Sequence, residues 1–159
     1  MHVDDPYGRL IALDRQRGGE QRTLVIGKWA IRLRGLDGAL AAGLDRRWGP
    51  FVEHQAPPTV DRTVRVVRGG SSGWLAPAWG EPYRLERQGD SRRGVIVSHN
   101  FALAAEDRRA AAWRLALVDR SEEPAERMVE NASRFLVAGL ALAGGGFAIH
   151  GAGDRKSVV

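Results

Sequence analysis

The stretch 121-SEEPAERMVENASRFLVAGLALAGGG-146 is the clearest structural element in the sequence. Met128, Ala132, Leu136 and Leu140 recur at helical spacing, and neighbouring apolar residues widen the same stripe toward the C-terminal end. This pattern predicts a long helix with one buried face. The widening of the stripe predicts that the last turns of the helix lie deeper in a core than the first.

The two ends of this helix also carry recognisable signals. Ser121 is a candidate N-cap, and Glu122 and Glu123 suit the positive end of the helix dipole. Gly144–Gly146 are expected to end the helix. The apolar run FAIH at 147–150 then predicts a short buried strand, which we interpret as the first strand of a further core.

Upstream of this helix the pattern changes to short strands. From Lys28 to Arg34 apolar and polar residues alternate, which predicts a half-buried strand with Trp29, Ile31 and Leu33 on its apolar face. A short helix capped by Asp37 should follow. The remaining expected elements are strands near Thr63–Arg68 and Trp113–Asp119 and a hairpin formed by 82–88 and 92–100.

These elements predict an α+β fold, with an antiparallel β-rich accessory region, one short helix and one long helix, leading into the first strand of a further core. We divide the chain into a flexible lead-in at 1–21, the β-rich region at 22–120, the long helix and core strand at 121–153, and the tail at 154–159. The whole chain of 159 residues has the size of one ordinary domain or of part of a larger one.

Composition excludes several classes of protein. There is no cysteine, which removes disulfide scaffolds and thiolate sites, and neither a signal peptide nor a membrane-spanning run is recognisable. We therefore expect a cytoplasmic protein that does not bind membranes. The net charge is +5, but the basic residues are scattered and interleaved with acids, so nucleic-acid binding is not expected.

The C-terminal Lys156-Ser157 follows glycines, as in a phosphate-binding loop. The motif G-x-x-x-x-G-K-[ST] would require glycine at 155 and 150, where Arg155 and His150 stand. The motif is therefore absent here. Back-translation of Asp154–Val159 reads like a widely used sequencing adapter, so we interpret 154–159 as adapter-derived and exclude it from the fold.

The stretch 130-ENASRFLVAGLALAGGGFAIHGAG-153 resembles the segment that precedes the P-loop in HPr kinase/phosphorylase-related serine kinases. Asn131, Arg134 and Leu136 fit the helix of that segment, and Ile149 and His150 fit its strand. The resemblance implies an N-terminal fragment of a kinase whose core is akin to phosphoenolpyruvate carboxykinase. The Walker A lysine, the magnesium-binding hydroxyl and the catalytic acid would all follow residue 153.

The resemblance further implies a full-length enzyme that binds ATP and Mg and phosphorylates a serine of a protein or peptide. It is also compatible with a homo-oligomer of the full-length enzyme. His150 would lie beside the phosphate pocket, and Gly151 and Gly153 would allow close approach to the nucleotide. The residues alone equally allow a partly buried histidine and plain turn glycines. As given, the chain should be inactive and bind no nucleotide.

Other candidate sites have plainer interpretations. The segment RGGSSGW at 68–74 lacks a following helix and lysine, so we interpret it as a linker rather than a phosphate cradle. The histidines have no metal-ligand spacing, and the tryptophans are expected to anchor the core or loops rather than to form a base-stacking platform. The alternative function is a complete, non-catalytic α+β module that binds a peptide or protein, by strand addition at an open sheet edge.

Overall fold

The computed structural model describes residues 6–13, 18–53, 59–69, 74, 83–86, 93–107, 109–119 and 123–145. Within these residues the chain has an α+β fold, as predicted. The elements in chain order are α1 (Pro6–Leu13), β1 (Glu20–Ile26), β2 (Trp29–Leu36), α2 (Gly38–Trp48), a short 3-10 turn (Gly49–Phe51), β3 (Val52–Glu53), β4 (Arg62–Arg68), β5 (Tyr83–Glu86), β6 (Gly94–Ser98), β7 (Phe101–Ala105), β8 (Ala112–Leu117) and α3 (Ala125–Ala143).

The strands form one mixed sheet in the order β3-β1-β2-β4-β8-β7-β6-β5. The outer pairs are antiparallel, but β4 runs parallel to β2 on one side and to β8 on the other. The prediction of an antiparallel region is therefore wrong at the centre of the sheet. The reason is connectivity, since the crossover containing α2 returns the chain to the end of the sheet from which β2 started.

Close contact between β2 and β4 depends on one glycine. Gly35 has φ +77, and a Cβ at this position would lie 2.6 Å from the carbonyl oxygen of Val66. A side chain here would be strained in its backbone and would push the two strands apart. Gly35 therefore permits the parallel pair on which the centre of the sheet rests.

Helices α2 and α3 cover one face of the sheet, and the main core lies between them and the strands. Asp37 caps α2 as predicted, because its Oδ1 accepts a hydrogen bond of 2.8 Å from the backbone N–H of Leu40. The core residues of this layer include Leu40, Leu44 and Trp48 of α2 and Met128, Val129, Ala132 and Leu136 of α3, packed on Ile31, Leu33, Val64, Val66, Leu115 and Leu117.

Helix α3 differs from expectation in the burial of its last turns and in its start. The widening apolar stripe predicts that the last turns lie deepest, and this is wrong, because the buried residues of α3 end at Leu136 and Leu142 is 60% exposed. The helix begins at Ala125 with Pro124 in the cap position and no side-chain cap, so the prediction of Ser121 as N-cap is wrong. Proline has a fixed φ that suits a helix start, which allows the helix to begin without a capping hydroxyl. Its end is as predicted, since Gly144 is the C-cap and Gly145 has φ +79.

Helix α1 covers part of the opposite face of the sheet. The expectation of a flexible lead-in does not describe Pro6–Leu13, because Leu10 is fully buried and Tyr7 nearly so. Both pack in a second core with valines and alanines of β6, β7 and β8. Burial and a nearby carboxylate, Glu106, raise the pKa of Tyr7. The fold therefore has three layers, with the sheet in the middle.

We predict that Leu10→Ala lowers the free energy of unfolding by about 2–4 kcal/mol, because it removes a fully buried side chain and leaves a cavity. Ile11→Ala is the matched control on the same helix, since Ile11 is 37% exposed and should cost less than about 1 kcal/mol. Urea denaturation followed by circular dichroism measures both. Equal effects of the two variants would show that α1 does not dock on the sheet.

Replacement of Asp37 tests the start of α2. Asp37→Ala should lower the free energy of unfolding by about 1 kcal/mol, whereas Asp37→Asn keeps the cap and should cost less.

The hydrogen bond from Arg68 and the one from the Leu40 N–H lower the pKa of Asp37 below 3.8. The carboxylate thus stabilises the fold above that pH, and the difference between wild type and Asp37→Ala should shrink as pH falls through the lowered pKa. A difference that grows on acidification would contradict this assignment.

Candidate functional site

The residues that the sequence singles out for nucleotide binding lie outside the described residues. This applies to His150, Gly151 and Gly153, to the predicted strand at 147–150, and to Lys156-Ser157. Their roles therefore stay predictions. Helix α3 precedes these residues in the sequence, and the structure describes this part of the chain as far as Gly145. Among the described elements, α3 is therefore the one that adjoins the candidate residues.

The glycine-serine segment at 68–74 is tied to the fold at the positions that the structure describes. Arg68 forms an ion pair of 2.8 Å with Asp37 at the start of α2. The backbone N–H of Gly69 donates to the carbonyl oxygen of Leu117. Trp74 is 2% exposed, with the guanidinium of Arg9 3.8 Å from its ring centre. Gly69 therefore offers no free N–H to a phosphate.

No group of histidine and acidic side chains that could hold a metal ion occurs in the described ranges. His99 is in the turn between β6 and β7, next to Ser98. The Ser98 hydroxyl oxygen accepts hydrogen bonds of 3.1 Å from the N–H groups of Asn100 and Phe101. Ser98 therefore holds this turn.

Three of the five tryptophans are core residues, as expected. Trp48, Trp74 and Trp113 are 8% exposed or less, and the indole N–H of Trp113 donates to the carbonyl of Ala110 at 2.9 Å. Trp29 is half-buried beside Lys28, and Trp79 lies outside the described residues. The buried rings cannot stack on nucleic-acid bases.

The first half of α3 contains a buried carboxylate, Glu130, which is 8% exposed. Arg47 of α2 donates to one oxygen of Glu130 at 2.5 Å, and Arg134 contacts the other at 2.6 Å. Both carboxylate oxygens are thus engaged by guanidinium groups. The arrangement joins α3 to α2 and gives Glu130 a structural role.

The second half of α3 differs sharply from the first. From Val137 to Ala143 every residue is apolar or glycine, and none of them is buried. Leu142 is 60% exposed, the highest value among the exposed large apolar residues of the described part. We call Val137–Ala143 the apolar end of α3. A helix that is apolar on all sides is normally covered by other parts of a protein.

The apolar end is too short to explain α3 as a membrane helix. None of the helices in the described ranges has the length and hydropathy needed to cross a membrane. Glu126, Arg127, Glu130 and Arg134 place charges along its first half. The unusual feature of α3 is therefore its apolar end. The first half of the helix, in contrast, packs in the main core and forms ion pairs through Glu130.

Comparisons with known families, curated proteins and solved structures returned no match.

Sequence reasoning missed the pairing of Glu130 with α2. The spacing of Glu130 and Arg134 is a readable i,i+4 pair. Arg47, however, is far away in the sequence, and only the packing of α2 against α3 brings it to Glu130. Gly43 assists that packing, because a Cβ there would lie 3.1 Å from the carboxyl carbon of Glu126. A glycine in the middle of a predicted helix was the one local signal of this close approach.

We predict that Glu130→Gln lowers the free energy of unfolding by about 1–2 kcal/mol, because a buried acceptor of two charged hydrogen bonds loses its charge. Arg134→Gln should cost less than about 1 kcal/mol, since the Arg134 side chain is 61% exposed. Thermal and urea denaturation measure both changes. A larger effect at Arg134 than at Glu130 would contradict the view that Glu130 joins the two helices.

Proposed function

We propose that the chain is the N-terminal accessory region and first core helix of a cytoplasmic, ATP-dependent serine kinase resembling HPr kinase/phosphorylase. The observation that carries the proposal is the apolar end of α3, with Leu142 60% exposed. This end leads in sequence to the apolar run 147–150 and to the His-Gly pair that resembles the entry to a kinase core.

The physical argument concerns burial. The first half of α3 packs in the main core through Met128, Ala132 and Leu136, so α3 is fixed to the sheet. Covering a leucine side chain stabilises a protein by about 1.5–3 kcal/mol, and the apolar end presents one such side chain, Leu142, at the point where a further unit would begin, whereas Val137 and Leu140 already pack against the main core. A nucleotide-binding core that packs there would use α3 as a rigid connection to the accessory sheet.

In the full-length kinase, ATP with Mg would supply the phosphoryl group and a serine of a protein or peptide would accept it. We assign His150 to the edge of the phosphate pocket and Gly151 and Gly153 to the close approach of the backbone to the nucleotide. The accessory sheet itself contributes no reacting group in this proposal. Its role is to hold α3 and to present surfaces to partners.

A second function, a non-catalytic module that binds a peptide or protein by strand addition, is favoured by one observation. The edge strand β3 pairs with β1 only at Thr23 and Leu24, although β1 extends from Glu20 to Ile26. The remaining edge of β1 has no strand partner among the described residues. An open edge of this kind can accept an extended peptide.

The kinase proposal predicts that Leu142→Lys has different effects in two chains. In residues 1–153 alone the change should alter the free energy of unfolding by less than about 0.5 kcal/mol, because Leu142 is exposed. In the natural reading frame extended beyond residue 153, it should cost more than about 2 kcal/mol, because the lysine would face an apolar interface. Denaturant titration of each pair measures the effect.

Ile11→Lys is the matched control, since Ile11 is also an exposed apolar residue but lies on α1, across the sheet from α3. It should behave alike in both chains. The extended chain should also contain G-x-x-x-x-G-K-[ST] within about 30 residues of His150 and should transfer labelled phosphate from Mg-ATP to serine. An extended frame without this motif, or cooperative folding of 1–153 with no effect of extension at Leu142, would favour the binding module instead.

A further inference from the structure

Helix α1 and the side chain of Trp74 pack together at the end of β4, although they are far apart in the sequence. The guanidinium group of Arg9 lies 3.8 Å from the centre of the Trp74 ring. A Cβ built on Gly69, which follows β4, would lie 3.1 Å from the Trp74 ring and 3.3 Å from Cδ1 of Leu13. Both Leu13 of α1 and the indole therefore lie against Gly69, where the absence of a side chain leaves room for them.

Only one side of α1 is held by the rest of the fold. Among its eight residues Tyr7 and Leu10 are buried, whereas Ile11 and Ala12 are exposed. A helix of eight residues is not stable by itself in water, because its few hydrogen bonds do not offset the cost of forming the first turn. Helix α1 is therefore helical only while its contacts with the sheet and with Trp74 are made.

The contacts that hold α1 are concentrated in one residue. Leu10 is fully buried. On either side of it, Tyr7 and Arg9 take part in arginine–aromatic contacts, with the guanidinium of Arg93 4.5 Å from the centre of the Tyr7 ring. Such contacts are individually weak where the arginine is in contact with water. Because most of the docking free energy comes from Leu10, α1 should leave the sheet in one step rather than fray from one end.

The indole of Trp74 is buried with one polar group unpaired. The residue is 2% exposed, and its Nε1 is buried without a hydrogen-bond partner in the described structure. A buried N–H group that has lost water without gaining an acceptor raises the free energy of the folded state. Contact with water would supply that acceptor. The docked state therefore holds Trp74 less firmly than the burial of its ring alone would do.

The face of the sheet under α1 is fixed without α1. Strands β7 and β8 each pair with a neighbour on both sides, and their other face packs in the main core. The residues that face α1 are small and apolar, namely Val67, Val95, Val97, Ala102, Ala104, Ala116 and Val118. Removal of α1 would therefore leave the sheet in place and uncover this strip of valines and alanines.

We propose that α1 and the Trp74 indole form one latch, which leaves the sheet as a unit while the strands and the main core stay in place. Each part of the latch stabilises the other, because undocking of α1 removes the contacts of Arg9 and Leu13 from the region of the indole. The short helix and the unpaired indole N–H both lower the free energy of this opening below that of global unfolding. The latch thus controls access to the apolar strip under α1.

The latch does not depend on the kinase proposal, because it uses only α1, Gly69 and Trp74. The same opening is expected in a kinase and in a binding module without activity. A kinase core found downstream, or its absence, leaves the expected exchange behaviour unchanged.

The test is native-state hydrogen exchange of the full chain, followed by NMR. Relative to their intrinsic rates, the backbone N–H groups of Leu10–Leu13 and the indole N–H of Trp74 should exchange at least about tenfold faster than the backbone N–H groups of Leu103 and Leu115 in the sheet. Arg9→Ala should speed exchange in α1 and at the Trp74 indole by the same factor, about threefold, as expected for the loss of one arginine–aromatic contact.

Ile11→Ala is the matched control, since Ile11 lies on the same helix but is 37% exposed, and it should change exchange at Trp74 less than about twofold. Trp74→Leu is the reciprocal variant and should speed exchange in α1 by more than Arg9→Ala does. In the Trp74→Leu background Arg9→Ala should have a smaller effect than in the wild type, because its aromatic partner is gone.

Circular dichroism verifies that the variants fold. Should Trp74→Leu unfold the chain, Arg9→Ala alone still tests the latch, because Arg9 is only half-buried. The proposal is overturned if the N–H groups of α1 exchange only together with those of Leu103 and Leu115. It is also overturned if Arg9→Ala speeds exchange in α1 without changing it at the Trp74 indole, because α1 and Trp74 would then open separately.

Discussion

The position of β4 between two parallel neighbours is the constraint on which the rest of the structure depends. Val64 and Val66 of β4 face the α2–α3 layer, whereas Val67 faces α1. A central strand with apolar residues on both sides needs cover on both sides. The crossover through α2 supplies one of these layers. The chain then returns through β5, β6 and β7, which places β8 beside β4. Helix α1 supplies the other layer, over β6 to β8.

The elements that the sequence predicted well are those set by local patterns. The alternation in β2, the Asp37 cap of α2 and the glycines that end α3 each involve residues within one or two turns of each other. The elements that it missed lack such patterns. All five residues of β7, Phe101–Ala105, are buried, so β7 shows no alternation. Helix α1 has only eight residues, and its stability comes from tertiary packing.

The parallel register at the centre of the sheet could not be predicted from the sequence for the same physical reason. Arg34, Arg65 and Arg114 lie opposite one another on β2, β4 and β8, although many residues separate them in the sequence. Periodicity within one strand does not reveal which strands become neighbours. The candidate nucleotide-binding residues present the opposite case. His150, Gly151 and Gly153 were selected by resemblance alone, and no described contact bears on them.

The two halves of α3 are held to the fold in different ways. Met128, Ala132 and Leu136 pack in the main core, and Glu130 pairs with Arg47 of α2. Leu142, at the other end of the helix, is 60% exposed. Because burial and a buried ion pair both fix the first half, a change at Leu142 leaves that half in place, whereas a change at Glu130 acts on the packing of α2 against α3.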